Sequence, residues 1–200
     1  MPTHNFFLNV FIIGAIKGLH STGKSDMTAT EYIVLVDKND QETGKSEKLA
    51  AHEKNLLHRA FSVFIFRDTP EKELLLQQRA AGKYHCGSLW TNTCCSHPHP
   101  GETIIAAGIR RLEQEFGFKA DLNDLGWFHY NAHFDNGLSE NEIDHVLIGT
   151  VPADLVPAPD AEEIQAYRWI TIADLEQEMS AHPERFTPWL KQALGIAAKG

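Results

Sequence analysis

The stretch Trp90-Thr91-Asn92-Thr93-Cys94-Cys95-Ser96-His97-Pro98-His99-Pro100-Gly101-Glu102, continued through Ile105, Ile109, Leu112 and Phe116 to Gly117, organises the reading of this chain. Its first half is turn-rich and places a thiol, an imidazole and a carboxylate close together in sequence. Its second half repeats apolar residues at helical spacing, which predicts a helix over residues 102–116 that Gly117 stops. Two further carboxylates, Glu140 and Glu142, stand two residues apart, so on a strand both project to one face. Thiol, imidazole and paired carboxylates suit metal-assisted acid–base chemistry on an anionic, phosphorylated substrate.

Working outward, β-rich runs occupy residues 32–36, 60–66 and 73–78, the last two joined through Asp68-Thr69-Pro70. Residues 125–134, 143–151 and 166–170 also read as strands. Thr171 is placed to cap a helix over residues 173–180, and a final helix is expected over residues 187–194. Many strands with few helices predict an α+β or layered α/β domain without internal repeats.

Two hundred residues with 42% hydrophobic content fit one domain with a real core. Eighteen basic against 27 acidic residues give a net charge of −9, which argues against nucleic acid or an anionic membrane as partner. An anionic small molecule then needs a locally basic pocket. Three cysteines, two of them adjacent, make no disulfide framework, and a reducing cytoplasm is the expected compartment. Residues 6–16 are nearly all apolar but too few for a membrane span. Residues 17–26 read as a linker, so residues 1–26 are expected to be an appendage to a domain at 27–200. Within that appendage, Gly18-Leu19-His20-Ser21-Thr22-Gly23-Lys24-Ser25 matches a phosphate-binding loop by letter. Such a loop must open a helix, and only five residues separate it from the next strand, so it is read as a decoy.

The candidate site residues each have an ordinary alternative. Adjacent Cys94 and Cys95 cannot easily face one ion, which argues against a closed zinc site, and one of them is expected to fill core. His52 and His58 carry little weight singly, yet with His97, Glu140 and Glu142 they offer five nitrogen and oxygen donors. More than four donors leans away from tetrahedral zinc, leaving zinc, manganese and iron open. Arg111 and Glu115, four apart on the helix, read by default as a surface ion pair worth about 0.3–0.5 kcal/mol. Lys48, Arg79 and Lys83 are unremarkable singly, but together near a metal site they would form the basic pocket a diphosphate requires. Tyr130 and Trp189 read as core, with a phenol hydrogen bond and a π face toward a cation as the alternatives.

Taken together, Leu57-His58-Arg59-Ala60-Phe61-Ser62, the Trp90–Pro98 string, Glu140-Asn141-Glu142 and Phe186-Thr187-Pro188-Trp189 closely resemble type I isopentenyl-diphosphate Δ-isomerases of the Nudix superfamily, over about residues 31–190. The Nudix box is visible but eroded: Ser96 takes the first glycine position, and Arg111 and Gln114 replace two acids. The resemblance implies a mixed-sheet sandwich flanked by helices. It implies Cys95 and Glu142 as the acid–base pair, with Tyr130 supporting Glu142. His52, His58, His97, Glu140 and Glu142 would bind one divalent metal, Mn²⁺ or Zn²⁺. Glu115 would hold a Mg²⁺ that accompanies the diphosphate of the allylic or homoallylic substrate. Lys48, Arg79, Lys83, Arg111 and Ser96 would contact the substrate, and Trp189 would face the cationic intermediate. A monomer or weak homodimer is expected. Cys86 stands where Ser or Pro is expected, bringing a further thiol near the pocket mouth. The rival readings are a Nudix diphosphate hydrolase and a non-catalytic zinc module.

Overall fold

Residue alternation along His58–Arg67 sets the architecture. In the computed structural model, which describes residues 11–12 and 30–200, Phe61, Val63 and Ile65 enter one core and Phe64 the other. Successive strand residues point to opposite faces, so a strand apolar on both sides must lie between two layers. In chain order the elements are β1 (Phe11–Ile12), β2 (Tyr32–Val36), β3 (Glu42–Glu47), α1 (Lys48–Glu53), β4 (His58–Arg67), β5 (Leu74–Arg79), β6 (Trp90–Thr91) and β7 (Cys94–Ser96). There follow α2 (Ile104–Phe116), β8 (Asn123–His133), β9 (Ser139–Val151), β10 (Ile164–Ile170), α3 (Ile172–Ala181), a 3₁₀ turn (Pro183–Arg185) and α4 (Leu190–Ala197).

All ten strands form one mixed sheet with β4 at its hub. β4 runs parallel to β9 from His58↔Glu142 to Arg67↔Val151, and antiparallel to β7, β5 and β2. A parallel pair requires a crossover, and α2 lies within it. α2 packs Leu112 and Phe116 against Val63 and Leu147, while α4 covers the other face with Leu190 and Leu194 against Phe64 and Val146. The Thr103 hydroxyl accepts from the Ala106 N–H and caps the start of α2; Gly117, at φ 73°, ends it. The helix therefore begins two residues later than its apolar spacing predicts. Glu102 sits ahead of the cap, where its carboxylate accepts from the His99 N–H and from the Arg110 guanidinium.

The structure departs from the sequence reading mainly in polar segments. β9 begins at Ser139 rather than residue 143, since Ser139-Glu140-Asn141-Glu142 pair with β8 although no apolar alternation marks them. β3 and α1 were not expected at all, and α4 lies three residues beyond the predicted span. The phosphate-loop match lies outside the described residues. Of the apolar run at 6–16, Phe11 and Ile12 form β1 and pair with Tyr167 and Ala166 of β10. Among the described residues no helix is long and apolar enough to cross a membrane.

Gly149 marks where the sheet is packed most tightly. A Cβ there would lie 2.8 Å from the Asp121 carbonyl oxygen, 2.9 Å from Leu122 Cδ2 and 3.0 Å from Ile65 Cδ1. Gly149→Ala is expected to destabilise the fold by about 1–3 kcal/mol through overpacking. In thermal unfolding each kcal/mol should appear as a fall of roughly 2–4 °C in Tm.

Candidate active site

The β4–β9 register brings His58 opposite Glu142, and the loop after β7 adds His97. His97 Nε2 lies 3.0 Å from Glu142 Oε1, His58 Nε2 lies 3.3 Å from the same oxygen, and the two nitrogens are 3.2 Å apart. His52 arrives on α1, and its donor atom lies within 4.8 Å of these three. Backbone carbonyls fix the outer nitrogens of two of these rings. His58 Nδ1 donates to Leu56 O at 2.8 Å and His52 Nδ1 donates to Lys48 O at 2.7 Å. Each of these two rings, when neutral, therefore turns a bare Nε2 lone pair inward. His52 Nε2 is buried without a partner, and His58 Nε2 faces a carboxylate oxygen. Lone pairs converging on a carboxylate repel unless a cation sits among them, so the residues present fit a divalent metal. Burial lowers the His52 pKa and takes His97 down to about 3, which keeps these imidazoles neutral and free to ligate.

Glu140, expected in the same donor set, falls instead in a neighbouring group with His52 and His85. One oxygen lies 3.1 Å from His85 Nε2, and the other is buried without a partner. Burial, reinforced by Glu142, raises the Glu140 pKa. Burial acts on Glu142 in the same direction, but the imidazoles of His58 and His97 outweigh it and hold that carboxyl low. Two carboxylates at i and i+2 thus differ in protonation. Tyr130 stands directly opposite Glu142 on β8. Its hydroxyl is buried without a partner, and its ring meets Trp189 edge-on at 6.0 Å.

One cavity joins this cluster to Cys95, Ser96 and Trp189. β7 pairs with β4 on the side away from β9, so Cys95 and Glu142 reach the cavity from opposite flanks of β4. The Cys95 thiol points its hydrogen toward Asn92 Oδ1 at 3.7 Å, and burial pushes its pKa well up, so it rests protonated. Cys94, fully buried, packs in the core beneath α2. Asn92 Oδ1 also accepts from Trp189 Nε1 at 3.2 Å, which ties the indole to the loop that carries the thiol.

The expected cations line the same cavity, each beside an acid or a ring. Lys48 pairs with Glu31 at 3.1 Å, Lys83 pairs with Glu163, and Arg111 pairs with Glu115 and, at 3.4 Å, with Glu163. Glu115 is buried and accepts a further hydrogen bond from Gln77 at 3.2 Å, so it pairs with the half-buried Arg111 in the cavity wall and not on an open helix face. Arg79 lies 5.7 Å over the Trp189 ring, and its Nε is buried without a partner. Every site residue expected from the sequence except Tyr130 and the two histidines His52 and His58 is a lining residue of this cavity. Sequence reasoning passed over His85, Asp144 and Glu163, which line it too. Asp144 could have been found, because it continues the period-two series 140, 142, 144. Nothing local marks the other two.

The chain belongs to the Nudix superfamily: the NUDIX domain family model matches residues 56–190. Solved structures agree at the level of fold. DR0079 of Deinococcus radiodurans aligns with a TM-score of 0.63 at 19% identity, over 84% of this chain and 98% of that one. The MutT protein of Methanosarcina mazei aligns at 0.55 and 16% identity, over 72% of this chain and 94% of that one. Within the superfamily this is a member of the isopentenyl-diphosphate Delta-isomerase family. The proteins of that name from Photobacterium profundum and Aliivibrio fischeri are each 48% identical to it, over 84% and 80% of this chain and 94% and 91% of theirs.

Proposed function

We propose that this chain interconverts isopentenyl diphosphate and dimethylallyl diphosphate by adding a proton to the terminal alkene carbon and removing one from the methylene beside the tertiary carbon, the one next to the carbon that bears the diphosphate. The observation that carries the reading is a single cavity lined by the Cys95 thiol and the Glu142 carboxylate, with indole and basic side chains between and around them. An alkene is a very weak base, so the donor must act in a dry, prearranged site. A protonated thiol and an ionised carboxylate form one protonation state of a two-carrier pair. One carrier gives a proton to the substrate and the other takes one, and their roles exchange in the reverse reaction.

Trp189 presents a π face suited to the tertiary carbocation between the two transfers, and Tyr130 lies where it can orient Glu142. Lys48, Arg79, Lys83 and Arg111 would exchange their present partners for diphosphate oxygens, with Ser96 adding a hydroxyl contact. His52, His58, His97, Glu140 and Glu142 would hold one divalent cation, Mn²⁺ or Zn²⁺, which supplies positive charge that keeps Glu142 ionised and oriented. Glu115 would hold Mg²⁺ brought in with the diphosphate, since Mg²⁺ is usually bound through one or two carboxylates plus substrate phosphates. Arg111 and Gln114, standing where the Nudix box has acids, favour gripping a diphosphate intact over hydrolysing it.

Incubating metal-loaded protein with isopentenyl diphosphate and following products by NMR tests this. Dimethylallyl diphosphate with both phosphates retained is expected. Chelator treatment is expected to take conversion to background, and added Mg²⁺ with Mn²⁺ or Zn²⁺ to restore it. Phosphate release without isomerised product would indicate a hydrolase instead.

A further inference from the structure

Asn92 stands behind the cavity wall, fully buried, while its partners Cys95 and Trp189 line the cavity itself. Its Oδ1 accepts three hydrogen bonds: from the Thr91 hydroxyl at 2.8 Å, from Trp189 Nε1 at 3.2 Å and from the Cys95 thiol at 3.7 Å. Both hydrogens of its amide nitrogen are spent on backbone carbonyls, Cys94 O at 2.8 Å and Val63 O at 3.2 Å. The amide can therefore sit only one way round. Reversing it would set the NH₂ group against three donors and the oxygen against two carbonyls. Thr91 is held in turn by the Thr187 hydroxyl at 2.8 Å, and Thr187 N donates to Trp90 O at 3.0 Å. One side chain thus registers the segment entering α4, which carries the indole, on the β6–β7 segment, which carries the thiol.

The thiol holds the weakest share in this arrangement. A carbonyl oxygen has two lone pairs, and the hydroxyl and the indole N–H, at ordinary hydrogen-bond distances, fill them. The S–H is a weak donor, and at 3.7 Å it is aimed without being gripped. Its hydrogen can swing from Oδ1 into the cavity without leaving a buried acceptor empty, which would be costly. The indole is held more firmly, so its plane stays fixed while the proton moves.

We infer that Asn92 is a positioning residue of the isomerisation: its carbonyl oxygen aims the Cys95 S–H and fixes the plane of the Trp189 indole, setting the proton carrier and the cation-facing wall relative to each other. The inference rests on the isomerase reading of the cavity and adds to it a residue that does not touch the substrate.

The tie between Asn92 and the thiol is read first, without substrate. A hydrogen bond lowers the S–H stretching frequency, and the infrared difference between wild type and Cys95→Ala isolates the Cys95 band from those of Cys86 and Cys94. The wild-type band is expected below that of a thiol in an apolar solvent. A band at the free-thiol position would overturn the inference, and this measurement needs no variant at position 92. Asn92→Ala is expected to move the band up to the free-thiol position and to shift the Trp189 indole resonance in the ¹⁵N–¹H spectrum, assigned by its loss in Trp189→Phe. It should lower kcat by about 10²-fold, the scale of a misplaced reacting group. KM for isopentenyl diphosphate should stay nearly constant, because the basic residues that would hold the diphosphate have their partners elsewhere. Asn92→Ser, which retains one acceptor oxygen, should lie between the two in band position and in kcat, and it carries the test if the alanine protein does not fold. Unchanged kcat in a folded variant, or KM raised as far as kcat is lowered, would overturn the positioning role. A lowered S–H band in a wild-type chain that makes no dimethylallyl diphosphate would sink the isomerase reading and the catalytic role with it. A free-thiol band with normal conversion would strike this inference alone.

Discussion

Cys95→Ala is expected to lower turnover by about 10²–10⁴-fold, the contribution of one positioned proton carrier, while the Kd for isopentenyl diphosphate stays nearly constant. The two quantities separate because they depend on different parts of the cavity. The charged head of the ligand would be gripped by Arg79, Lys83, Lys48 and Arg111, whereas Cys95 packs against the apolar core with its thiol turned to Asn92. Removing the sulfur leaves that grip intact and deprives one face of the alkene of its proton carrier. Cys95→Ser retains the shape but substitutes a hydroxyl that ionises far less readily, so it should fall between wild type and alanine only if proton transfer, rather than packing, is what the thiol supplies. Turnover by NMR and affinity by calorimetry check both variants. Wild-type turnover in the alanine protein would take the thiol out of the reaction.

Glu142→Gln is expected to lose both isomerisation and tightly held metal. The amide keeps the size and one acceptor oxygen but can neither carry a proton nor offer negative charge to a cation. Its NH₂ group could also donate to the inward Nε2 lone pair of His58, 3.3 Å from the present carboxylate oxygen, and so occupy electrons a cation needs. Conversion should drop to background and metal content below one per chain, measured by elemental analysis on the same sample. Glu142→Asp, which keeps the charge and shortens the reach, should retain metal more weakly. Full metal occupancy with normal conversion in the glutamine protein would show that another carboxylate does this work.

The two variants address opposite flanks of β4, and the sequence anticipated that arrangement unevenly. α2 was legible because four apolar residues at helical spacing end at a glycine, and the left-handed backbone at Gly117 is what that glycine allows. β4 was legible because β-branched and aromatic residues crowd it on both faces. β3, Glu-Thr-Gly-Lys-Ser-Glu, has no such pattern and is a strand only because β2 lies beside it in register. α1 is six residues long, less than two turns, so periodicity has nothing to act on. Yet α1 is what turns His52 toward His58. In the same way Ser139–Glu142 join β9 through pairing with β8, which carries Glu140 and Glu142 into the cavity.

From the residues alone came the kinds of donors, the eroded box that favours retaining a diphosphate, and membership of a layered α+β family. These follow from side-chain chemistry and short-range spacing, which a linear string preserves. The tertiary structure decided which nitrogen of His52 and His58 points inward, that Glu115 is buried against a half-buried Arg111, and that His85 reaches Glu140. Those outcomes depend on which backbone carbonyl each imidazole meets and on the parallel register of two strands some eighty residues apart. Packing and pairing between distant segments set them, and no local pattern of residues carries that information.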